Sequence, residues 1–111
     1  MTSQAAPALR VLMLGRSDEL AVEILTGLQD IGYRTVCEQV GDLAVLSLAL
    51  GGKAWDVVVC LSAMADERRD AARLCERAQP GLLFAAVSAP VDMARLATLI
   101  KTQIEGTPCR D

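Results

Sequence analysis

Apolar residues follow two rhythms along the chain. Short, nearly unbroken aliphatic runs at 10–14, 55–61 and 82–88 have the character of strands covered on both faces. Between them, apolar residues recur at three-and-four spacing, which marks helices with one buried side. The first run stops at Gly15, and Ser17 follows as an expected N-cap with Asp18 and Glu19 in the first turn. Leu20, Ala21, Ile24, Leu25, Leu28 and Ile31 then trace a helix that Gly32 ends. Residues 33–40 read as a second strand. Gly41 and Asp42 introduce a short helix over 43–50, closed by Gly51 and Gly52. After the third strand at 55–61, Asp66 is the expected cap of a helix over 67–79, with a narrow stripe of Ala71, Leu74, Cys75 and Ala78. Pro80 and Gly81 break it before the fourth strand at 82–88. Asp92 is the expected cap of the last helix, with Val91 stapled onto Leu96, and Met93, Leu96, Ala97, Ile100 and Ile104 on its inner face.

Four strands alternating with four helices predict an α/β domain, a doubly wound parallel sheet with right-handed crossovers and helices on both sides. It is expected to span 10–105, flanked by a disordered arm over 1–9 and a tail over 106–111. No repeat or linker interrupts it.

Composition narrows the chemistry. The chain has 111 residues, 52% of them hydrophobic, with single Trp, Tyr and Phe residues, so the core is aliphatic. A net charge of −3 carries no basic footprint for nucleic acid. No apolar run is long enough to span a bilayer, and the first residues lack a signal peptide's charged and apolar regions, so a cytoplasmic location is expected. Four cysteines, Cys37, Cys60, Cys75 and Cys109, show no C-x-x-C spacing, and histidine is absent. The usual zinc sets therefore cannot be assembled, and neither a metal nor a cofactor is expected. The thiols read as buried apolar groups, apart from Cys109 in the tail. The acidic pairs Asp18-Glu19 and Asp66-Glu67 sit at helix starts, where capping accounts for them without catalysis.

The order of these pieces resembles the receiver domain of response regulators. The resemblance is carried by Ile31-Gly32-Tyr33, by Gly41-Asp42-Leu43-Ala44, and by Trp55-Asp56 opening a Val-rich strand that runs into Met64-Ala65-Asp66. It implies a flavodoxin-like fold with strand order 2-1-3-4. Receivers hold Mg²⁺ with acids after the first strand, accept phosphate on an aspartate at the third-strand tip, and sense it with a Ser or Thr and a Lys. Here Gly15 and Arg16 stand at the acid positions, Leu61 at the acceptor, Ser88 at the hydroxyl and Ala89 at the lysine. A leucine has no nucleophile, and without acids nothing draws Mg²⁺ from its hydration shell. The resemblance also implies that one strand-helix unit is missing before the final helix.

The stretch from Asp56 to Met64 is similar to the strand and turn of cobalamin-binding domains too, but the cobalt-ligating histidine is absent and Ala85-Ala86 replaces the glycines that would admit the corrin. Gly15 stands alone, without a dinucleotide fingerprint. A small-ligand domain or small enzyme, cobalamin-like or nucleotide-binding, with its site at the C-terminal edge of the sheet, is the alternative reading. The favoured expectation is a non-enzymatic, phosphorylation-independent pseudo-receiver that binds protein, as a homodimer or with a regulatory partner. Two surfaces are expected to serve it: the 43–50 helix, apolar all round, through Val45 or Leu48, and the uncharged edge strand with the helix after it, through Leu82, Phe84, Leu96 and Ile100.

Overall fold

A computed structural model of the chain describes residues 9–88 and 91–105. Ala89, Cys109, the arm over 1–8 and the tail over 106–111 lie outside the described residues, as does the side chain of Ile104. The elements run β1 (Leu9–Leu14), α1 (Asp18–Asp30), β2 (Thr35–Val40), α2 (Leu43–Gly52), β3 (Val57–Cys60), α3 (Ala65–Ala78), β4 (Leu83–Ala86) and α4 (Met93–Glu105). All three strand pairings are parallel, and the order is β2-β1-β3-β4.

The helix starts follow the capping chemistry at three of four positions. Ser17 Oγ accepts from the Leu20 amide at 3.2 Å, Asp42 Oδ1 from Val45 at 2.9 Å and Asp92 Oδ1 from Arg95 at 3.1 Å. Each satisfies one of the orphan amides of a first turn, typically worth about 1 kcal/mol. Asp66 does not cap α3. The helix begins earlier, at Ala65 with Met64 as N-cap, and Asp66 instead pairs with Arg69 at 3.0 Å. Gly32 closes α1 at φ +102°, and the Tyr33 amide donates to Leu28, so this residue belongs to the turn and β2 starts only at Thr35. Leu9, assigned by pattern to the arm, is buried as the first residue of β1.

Side chains alternate across the strands and build two cores. On one face Val11 and Met13 of β1, Val57 and Val59 of β3 and Ala85 of β4 meet Ile24 and Leu28 of α1 and Leu96 and Ile100 of α4. On the other, Leu12, Leu14, Val58 and Cys60 meet Leu46 and Leu50 of α2 and Ala71 and Cys75 of α3. The centre of the sheet is sealed: Val57, Val58, Val59 and Cys60 are wholly buried. Each such valine contributes on the order of 1.5–3 kcal/mol by leaving water, which is why the central strand tolerates no polar residue. Gln79 ties α3 to the α2–β3 turn: its Oε1 accepts from the Trp55 amide at 2.9 Å while its Nε2 donates to the carbonyls of Leu50 and Lys53.

Candidate functional site

The ends of β1, β3 and β4 bring Gly15, Arg16, Leu61 and Ser88 to one edge of the sheet. In parallel α/β sheets this carboxyl edge is where ligands bind. Leu61 follows β3 directly and donates its amide to Leu14 at 2.7 Å, which continues the ladder. By alternation it shares the face of Val57 and Val59, and its side chain belongs to the core with α1 and α4, only 6% exposed. It presents no group to solvent. Gly15 lies against it: a Cβ at Gly15 would stand 2.8 Å from Leu61 Cβ, and the glycine has φ +138°. A side chain at position 15 would therefore press on the Cβ and backbone of residue 61, so glycine suits this position on both counts.

The remaining groups turn away from that point. Gly15 donates its amide to Val40 at 2.8 Å and receives Gln39 Nε2 on its carbonyl at 2.9 Å. The Arg16 side chain runs across Gly41, its Nε 3.5 Å from where a Cβ there would sit. Ser62 Oγ accepts from the Met64 amide, and Arg68 Nε donates to the Ser62 carbonyl at 2.7 Å, pinning the β3–α3 loop. Ser88 is exposed just past β4 and lines the groove between that strand and α4. Burial pushes the Cys60 thiol up, against the opposing pull of the Ser62 backbone and Arg68, and pushes Cys75 up to about 11 with help from Cys60. These thiols are inert packing groups at neutral pH. Among the described residues no three His, Cys, Asp or Glu side chains converge as a metal site.

No protein-family model matches the chain, and no curated protein does. Among solved structures, a response regulator receiver protein from Sinorhizobium medicae WSM419 aligns with a TM-score of 0.69, over 89% of this chain and 96% of that one, at 17% sequence identity. The chain has the receiver fold. Within it, Leu61 follows the third strand, Gly15 and Arg16 follow the first, and Ser88 follows the fourth. Among the described residues of this set, Gly15 and Leu61 are in packing contact.

The surfaces expected to bind protein divide on burial. Val45 and Leu48 are 42% and 76% exposed on the outer side of α2, while Leu46 and Leu50 fill its inner side. Leu82 and Phe84 are half-buried against the core that α2 and α3 cover. Leu96 and Ile100, also expected at an interface, are 2% and 0% exposed within the single chain, where they form the seam between α4, α1 and the sheet. The residue α4 does present is Leu99, 38% exposed. Neither Arg68 nor Gln79 stands out by spacing; the Ser62-x-Met64 turn is the one sequence signal beside the site that could have marked the Arg68 clamp. Among the described residues no helix is long and apolar enough to cross a membrane.

Proposed function

We propose that this chain is a regulatory module of receiver fold that works without phosphorylation and without catalysis, by binding protein, either a second copy of itself or a signalling partner. The carrying observation is the packing of Leu61 against Gly15. Leu61 offers no oxygen to accept a phosphoryl group and is only 6% exposed, and Gly15 packed against it carries no acid to hold a cation. A domain without a switch at its strand tips still has surfaces, and here the outer side of α2 exposes Val45 and Leu48 while the edge of β4 carries no charge. Apolar groups held in solvent at Val45 and Leu48 cost nothing only when something covers them, which supports association as the output.

A cytoplasmic setting belongs to the same reading, supported by free Cys37, Cys60 and Cys75. The test is incubation with acetyl phosphate and Mg²⁺ followed by intact-mass analysis. The expected result is an unchanged mass. A stable adduct of about 80 Da, one phosphoryl group, would overturn the reading.

A further inference from the structure

We infer that the partner at the β4 edge is a second copy of this chain, joined by antiparallel pairing of β4 with its own counterpart about a two-fold axis through Ala85, so that two four-stranded sheets become one of eight. The inference rests on the proposal that the chain self-associates and specifies how.

The hydrogen-bond parity of β4 shows which groups are open. Val87 donates to Cys60 at 2.9 Å across the β3–β4 pairing. Backbone groups alternate sides along a strand, so Leu83, Ala85 and Val87 face β3, while Phe84 and Ala86 turn their N–H and C=O groups to the open side. Neither of these two amides has a protein partner among the described residues. A two-fold axis through Ala85 sets Phe84 opposite Ala86 of the other copy, and the reverse. Each pair exchanges two N–H···O bonds, four in all, and every open group between residues 84 and 86 is satisfied. A symmetric dimer needs a self-complementary patch, and antiparallel pairing of a strand with itself supplies one.

Three features favour a second copy over an unrelated chain. First, the two edges of the sheet differ. β2, the other edge, carries Glu38, held by Lys53 at 2.7 Å, and Arg34 precedes it; such charges blunt an edge against pairing. No charged residue stands between Gly81 and Pro90, and Pro90 falls beyond the strand. Second, α4 runs back beside β4 from Asp92, near Ser88, to Gln103, whose Nε2 reaches the Gly81 carbonyl. The same axis therefore lays α4 antiparallel to its counterpart with the exposed Leu99 close to the centre, and the small Ala85 on that face leaves room for the approach. Third, the groove between β4 and α4, about 450 Å³, has one acid and one base in its lining, Asp92 and Arg95. Two copies of a neutral lining meet without repulsion, although the whole chain carries −3.

The test uses the intact chain and two readouts. Sedimentation equilibrium over a range of concentrations gives the dimer constant for the natural chain and for Ala86→Pro. The Ala86 N–H faces outward, so proline at this edge position leaves the monomer's ladder intact and removes two of the four intermolecular bonds. The expected result is a Kd raised at least roughly tenfold, with an unchanged melting temperature at concentrations where both chains are monomeric. The second readout needs no variant: amide hydrogen exchange at Phe84 and Ala86 should slow about tenfold at a concentration where nine-tenths of the chain is dimeric. A dimer in which those amides exchange as in dilute solution, or one that Ala86→Pro leaves undisturbed, overturns the pairing and leaves self-association standing. A monomer at every concentration overturns both.

Discussion

Replacing Leu61 with aspartate puts a carboxyl at the tip of the third strand, where the resemblance to receivers implies a phosphoacceptor, and the fold should reject it. The side chain is 6% exposed, on the face where Val57, Val59 and α1 supply only apolar contacts. Losing the leucine costs about 2–3 kcal/mol of apolar burial. The carboxyl adds a cost that depends on pH. Its pKa in the unfolded chain is near 3.9, and burial raises it in the folded state, by roughly 2–3 units for a site this enclosed. A group that holds its proton more tightly when folded costs nothing extra below pH ~4. Above that, stability falls by about 1.4 kcal/mol per pH unit until the folded pKa is passed. The added loss at pH 7 is therefore about 3–4 kcal/mol. The sum, roughly 5–7 kcal/mol, rivals the whole stability of a small domain. Leu61→Asn has the same shape and polarity without the charge and serves as the reference. Urea denaturation of both variants from pH 3.5 to 8 should show equal stability at the acid end and divergence as pH rises. Equal stability at pH 7 would mean that solvent or a cation reaches the strand tip, and the sealed-site reasoning would fail.

Gly15→Ala should destabilise the chain by about 1–3 kcal/mol, from positive φ and the contact with Leu61. Leu61→Gly in the same chain, which removes the Cβ that a side chain at Gly15 would meet, should recover part of that loss in a double-mutant cycle of melting curves, and strictly additive losses would deny the contact. Cys75 has its folded pKa raised from 9.0 to about 11, so it binds its proton more tightly folded than unfolded. Stability should then be lost as pH climbs from 9 to 11, by up to about 2–3 kcal/mol, and Cys75→Ala should flatten that slope in denaturation curves. Leu48→Lys, at the most exposed position of α2, should leave stability within about 0.5 kcal/mol. If α2 contributes to association, the same substitution lowers affinity in sedimentation, and unchanged affinity removes α2 from the interface.

The sheet was legible because its residues carry the pattern locally. The run from Val57 to Cys60 is apolar at every position since both its faces are covered, and Ser17, Asp42 and Asp92 announce helices through a bond made within three residues. Strand ends were less legible: Tyr33 and Trp55 look like the starts of β2 and β3, but their amides are taken by Leu28 and by the Gln79 side chain. Asp66 was misplaced as a cap because Ser62 and Arg68 organise the turn before it, and that clamp depends on the folded position of α3. At the candidate site the residue types were readable, but not that Gly15 packs against Leu61, since the two are far apart in sequence. Periodicity marked Leu96 and Ile100 as an apolar stripe. It could not say that the stripe closes on α1 within one chain, nor that Leu99 is left outside.

Native mass spectrometry of the chain, before and after treatment with acetyl phosphate and Mg²⁺, tests the central claim most directly because one spectrum reads covalent state and assembly together. The account predicts subunits of unmodified mass and a dimer fraction that rises with concentration and is the same in both samples. A phosphorylated subunit, or an assembly that forms only after treatment, would contradict it.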